Sequence, residues 1–97
     1  MKETDIKSER DLIVMDFNLL DKWDDFEDIV MLLEKYFSAT ITKRVNGPES
    51  KFVTLIINKG ELILINNPYG NTLKASNDVG KAALMEVYSN WDKFSRL

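Results

Sequence analysis

The chain has 97 residues, no histidine and no cysteine, and a formal net charge of -3. Without imidazole or thiol it lacks the usual general base near neutral pH, the usual soft metal ligands and the most reactive nucleophile. Hydrophobic residues at 44% and charged residues at 30% suit one globular domain with its own core, and no basic stripe offers a footprint for nucleic acid or anionic lipid.

In chain order, Met1 to Ser8 is charged and polar, reads as a flexible tail, and lacks the apolar centre of a secretion signal. Together with the absence of an apolar run of membrane-spanning length, this makes the cytoplasm the expected compartment. Asp11–Phe17 reads as a first strand, apolar on both faces.

The clearest helical signal follows. Trp23, Phe26, Val30, Leu33 and Phe37 recur at steps of three and four, with Ile29 and Tyr36 widening the stripe. Asp21 is the expected N-cap and Asp24, three residues on, its capping-box partner. The helix is expected to end near Phe37 or Ser38, where β-branched residues take over. Ala39–Val45 alternates as a strand, with Ala39, Ile41 and Val45 on one face and Thr40, Thr42 and Arg44 on the other.

Asn46–Glu49 is a turn by composition, and Phe52–Ile57 a central strand. Asn58–Glu61 suits a tight hairpin leading into the return strand Leu62–Ile65. Asn66–Asn71 is a second turn, Thr72–Ala75 a short edge strand, and Ser76, Asn77 and Asp78 offer caps for a last helix reaching about Phe94. The expected fold class is therefore α+β: one domain over residues 1–97, a two-layer sandwich. Its sheet has four to five mostly antiparallel strands, and its two helices lie on one face in the order β-α-β-β-β-(β)-α.

Charge is uneven. Met1–Pro48 carries eleven acids and seven bases, Glu49–Leu97 five acids and six bases. Five carboxylates fall within eight residues, namely Asp21, Asp24, Asp25, Glu27 and Asp28, opposed only by Lys22. Two readings compete. The cluster is either a solvated helix start favoured by the helix dipole, or a surface that steers and meets a basic protein. A divalent-metal site is the third and weakest, since no calcium-loop spacing with its glycine is present.

No catalytic residue is assigned. The serines have no histidine to activate them, and paired carboxylates at sugar-cleft geometry are not implied by spacing. Gly47, Gly60, Gly70 and Gly80 are too far apart for a phosphate loop, and no cofactor motif occurs. Lys43, Arg44 and Lys51 are too few for a nucleic-acid site and suit protection of an edge strand. Trp23 and Trp91 are expected in the core. Tyr69, in a polar turn, is either a contact residue or a plug beneath the loop. The candidate partner-binding residues are thus Asp21, Asp24, Asp25, Asp28 and Tyr69.

The acidic helix start at Asp21–Asp28, the strand run from Ala39 to Ile65 and the closing helix ending at Trp91 and Phe94 give a chain that resembles the small α/β immunity proteins. Bacteria use these to neutralise contact-dependent or bacteriocin-type toxins. The resemblance is one of architecture and charge, and it carries no residue role across. It implies a cytoplasmic, single-domain, non-enzymatic protein that blocks a basic toxin or nuclease by contact. The alternative is a structural or regulatory module that self-associates as a homodimer through an uncovered sheet face or edge.

Overall fold

Alternation of inward and outward side chains accounts for most of the sheet. The computed structural model describes residues 4–68 and 70–94. Within them the elements run β1 (Thr4–Glu9), β2 (Leu12–Phe17), α1 (Asp25–Phe37), β3 (Thr40–Asn46), β4 (Lys51–Ile57), β5 (Gly60–Asn67), β6 (Gly70–Ala75) and α2 (Asp78–Phe94). All six strands form one antiparallel sheet ordered β1-β2-β6-β5-β4-β3. The α+β class is as expected, and the sheet is wider than the four to five strands anticipated. α1 carries the chain from β2 to the far edge at β3, and the β3–β6 meander then fills the gap back to β2.

The extra strand is β1, where a tail was expected. Thr4, Ile6 and Ser8 oppose Phe17, Met15 and Ile13 on the core face, and Asp5, Lys7 and Glu9 point away. The period of two is present, but two of the three inward positions are polar, so an apolar alternation does not reveal it. Thr4 is nonetheless buried.

Both helices cover one face of the sheet. Phe26, Ile29, Val30, Leu33 and Phe37 of α1 and Ala83, Leu84, Val87 and Trp91 of α2 form one buried cluster with Met15, Phe17, Val53, Leu55, Leu62, Leu64 and Leu73. Trp91 anchors it: its ring meets Phe17 edge-on at 5.0 Å between centroids and stacks on Phe37 at 6.5 Å. α1 ends where expected, at Ser38, whose backbone is left-handed (φ 56°). For α2 the cap is Asn77, whose Oδ1 accepts a hydrogen bond from the Gly80 amide at 2.7 Å.

Strand β3 departs from simple alternation. Its pairing with β4 shifts between Ile41 and Lys43, which inserts a bulge at Thr42. Arg44 consequently lies opposite Val53 on the helix face, and Val45 opposite Phe52 on the open face, the reverse of the expected assignment. Arg44 then reaches α1, donating to both Glu27 carboxylate oxygens at 2.8 and 3.0 Å.

The β4–β5 hairpin turns on Asn58 and Lys59, both with positive φ (50° and 70°), the signature of a type I′ turn. Lysine is a poor occupant of the second position. Lys59→Gly is expected to raise stability by about 0.5–1 kcal/mol, the relief of left-handed strain less the added chain entropy, read as a higher urea midpoint at constant m.

Candidate partner-binding surface

The loops at one end of the sheet bring the candidate residues together. The β2–α1 loop, the β3–β4 turn and the β5–β6 turn all lie there, because Phe17, Asn46, Lys51, Asn67 and Gly70 end or begin their strands on that side. The β2–α1 loop is held from below by two buried asparagines. Asn66 Nδ2 donates to Asn71 Oδ1 at 2.7 Å, and Asn71 Nδ2 donates to the carbonyls of Leu20 at 2.8 Å and Lys22 at 3.0 Å. Nothing in the local sequence pattern marks this clamp, since both residues lie in a stretch read as a polar turn.

α1 begins three residues later than the sequence suggests. Its N-cap is Asp24, whose side chain makes no capping bond; the backbone of Lys22 instead accepts from the Asp25 amide at 3.1 Å. Asp25 Oδ2 returns a contact to the Lys22 amide, also at 3.1 Å, which makes Asp25 the residue that closes the turn. Asp21 therefore stands outside the helix, against Gly70, with 3.5 Å between its Cβ and the place a Gly70 side chain would occupy. The three residues Asp21, Asp25 and Asp28 do not form one helical row.

Trp23 also falls outside the helix and the core. It is 42% exposed, correcting the expectation of burial. Its late placement before the first helical turn lifts it off the stripe that begins at Phe26. Lys51 covers one side of the indole, with Nζ 4.3 Å from the ring centroid and 5.6 Å from that of Phe26, within cation–π range. A hollow of about 300 Å³ opens beside Trp23, lined by Asp21, Lys22, Glu49, Asn66 and Pro68. Glu49 joins the site from the β3–β4 turn and was not a candidate from sequence; only the folding of that turn toward the indole identifies it.

Asp21, Asp24, Asp28 and Glu49 are all exposed, and among the described residues none has an ion-pair partner. Glu27 is engaged by Arg44. Tyr69 lies outside the described residues; its neighbours Pro68 and Gly70 border the hollow and Asp21 respectively. Among the described residues no three acids converge in a way that could hold a metal ion.

A second charged group occupies the open face of β1, β2 and β6. Lys7 Nζ lies 3.2 Å from Glu9 and 3.8 Å from Asp16, and Thr72 donates to Asp16 Oδ1 at 2.9 Å. The hydrogen bond to Glu9 and the charges of Asp16 and Glu9 raise the Lys7 ammonium above its ordinary range. Any stability it lends is present at neutral pH and lost as pH climbs through that raised value. Its full exposure keeps the effect small.

The clamp yields a direct test. Asn71→Ala removes the two carbonyl contacts and leaves Asn66 without its buried acceptor, and is expected to cost about 2–3 kcal/mol. Hydrogen exchange should accelerate first at Lys22–Asp25, ahead of the β4–β5 core.

No helix among the described residues is long and apolar enough to cross a membrane. Searches among protein-family models, curated proteins and solved structures find no match to this chain.

Proposed function

We propose that this chain is a non-enzymatic binding protein of the inhibitor or immunity type, which neutralises a basic protein, a toxin or nuclease, by direct contact in the cytoplasm. The observation that carries the reading is the half-exposed Trp23 bordered by the unpaired carboxylates of Asp21 and Glu49, with exposed Asp24 next in the chain and Asp28 on the next turn. A large aromatic with one accessible side is the usual energetic centre of a protein contact, and a rim in which carboxylates outnumber the two lysines, Lys22 and Lys51, speeds encounter with a basic partner. Asp25 serves by closing the turn that presents the others. The chain's own chemistry favours contact over turnover, since it supplies neither imidazole nor thiol for acid–base or nucleophilic work.

The experiment is affinity capture from the source lysate at low salt with wild type and with the Asp21→Lys/Asp24→Lys variant. A basic protein retained by wild type and released by salt is the expected catch. The variant should associate with it about ten-fold more slowly, with an unchanged melting temperature, because these side chains are exposed and unpaired. An equal association rate, or a captured partner without basic character, overturns the reading.

A further inference from the structure

The face of the sheet opposite the helices is divided. Across β3, β4 and β5 it presents Val45, Phe52, Ile56, Ile63 and Ile65, of which Val45 is 44%, Phe52 40% and Ile63 37% exposed. Across β1, β2 and β6 it presents the charged group around Lys7, Asp16 and Lys74. Each exposed apolar side chain alone is unremarkable, but here cross-strand pairing makes them one band: Val45 opposes Phe52, and Phe52 opposes Ile65.

Two lysines bracket this band. Lys43 pairs with Thr54, Thr54 with Ile63, and Ile63 with Lys74, so the four stand in one row across β3, β4, β5 and β6. Three strand spacings separate the two lysines, about 14 Å. Neither has an ion-pair partner among the described residues. The one acid pointing outward from β3, β4 and β5 is Glu61, at the end of the band beside Ile56.

From this arrangement we infer that the apolar half of the open sheet face docks an amphipathic helix of another protein, lying along β4 and β5 with acidic residues flanking its apolar stripe. An α-helix with its side chains is about 10–12 Å across, so it fills the space between the two lysines and brings flanking carboxylates to Lys43 and Lys74. The apolar rows repeat about every 6.7 Å along the strands, so two to three helical turns cover Val45 to Ile56. The result is a third layer on a two-layer sandwich.

A second copy of this chain fits the same face badly. A two-fold axis lying across the strands would set Lys43 on Lys43 and Lys74 on Lys74. An axis running between β4 and β5 would set Lys43 on Lys74. Both stack like charges at the rim of the contact. The loop-end surface proposed above uses other residues and selects the opposite charge, so the two readings stand or fall separately.

The test uses two lactam-constrained helical peptides of about 14 residues with the same leucine stripe, one flanked by glutamates and one by lysines. In an amide NMR titration the glutamate peptide should saturably shift Val45, Phe52, Ile63 and Ile65, and bind at least ten-fold (roughly) more tightly than the lysine peptide at low salt. Lys43→Glu/Lys74→Glu, which should melt as wild type does, should reverse that order. Equal affinities, absent shifts on β4 and β5, shifts confined to Asp21–Asp28, or a dimer in sedimentation that Phe52→Glu dissociates would each overturn the inference.

Discussion

Trp91→Ala is expected to remove a large share of the domain's stability. Trp91 is 1% exposed and is the largest fully buried side chain among the described residues, in contact with Phe17 from β2 and Phe37 from the end of α1. Truncating a buried tryptophan costs about 3–5 kcal/mol, against a total of about 5–15 kcal/mol for a domain of ordinary stability. The loss reaches this size because one ring joins α2, α1 and the sheet, and the cavity left between three elements cannot close by a local shift. The melting temperature should fall by at least about 12 °C. Fluorescence supplies an independent check, since the chain has two tryptophans and the other, Trp23, is half exposed. The variant's folded state should emit at longer wavelength and be readily quenched by iodide, whereas Trp23→Phe should leave a blue-shifted, protected emission. A small stability change with retained blue emission would show that Trp91 does not hold the layers together.

Gly80→Ala is expected to destabilise by about 1–3 kcal/mol, although alanine is the better helix former by about 1 kcal/mol. Gly80 lies in the first turn of α2, and a Cβ there would stand 2.6 Å from the Glu61 carbonyl oxygen and 3.2 Å from Asn77 Oδ1, which caps the helix. The obstacle is backbone and cannot rotate aside. On the other side of the same contact, a Cβ at Gly60 would lie 2.6 Å from the Val79 carbonyl oxygen and 2.8 Å from the Gly80 Cα. Helix and hairpin are in contact through two glycines, and this is what lets Leu62, Leu64, Ala83 and Leu84 close into one buried cluster. The double variant Gly60→Ala/Gly80→Ala should lose less than the sum of the single losses, because the first Cβ already parts the two elements. A Gly80→Ala protein that melts higher than wild type would refute the close contact.

These two positions illustrate how unevenly the structure is legible in the residues. The stripe from Phe26 to Phe37 is buried as its periodicity requires, whereas β4 and β5 are apolar on both faces and only the packing of the helices makes Val53, Leu55, Leu62 and Leu64 the inward set. Gly80, by contrast, reads only as a weak helix start, since its partner Gly60 is twenty residues away and no local pattern links them. Strand β1 is concealed by its polar inward residues, Thr4 and Ser8. The bulge at Thr42 inverts Arg44 and Val45 without any glycine to announce it, and the Arg44–Glu27 pair explains what the inversion achieves.

The binding surface divides in the same way. Its negative charge is plain in Asp21, Asp24 and Asp28, since charge is a property of composition and survives any fold that leaves those residues outside. The exposure of Trp23 is not plain, because a shift of the helix start by three residues moves it from stripe to rim. Glu49 enters only through the β3–β4 turn, and the loop's position depends on Asn71 bonding to carbonyls about fifty residues distant.

By itself, the sequence determined most of the kinds of element, most of their limits, the buried stripe of α1 from Phe26 to Phe37, and the absence of thiol and imidazole chemistry. These depend on covalent identity and on periods of 2 and 3.6 residues, both local. The tertiary structure decided that α1 would carry β3 to the far edge, which face of β4 and β5 would lie beneath the helices, and that an apolar band between two lysines would remain on the other. Those outcomes come from contacts between residues distant in the chain, whose energies are settled only when the layers close on one another.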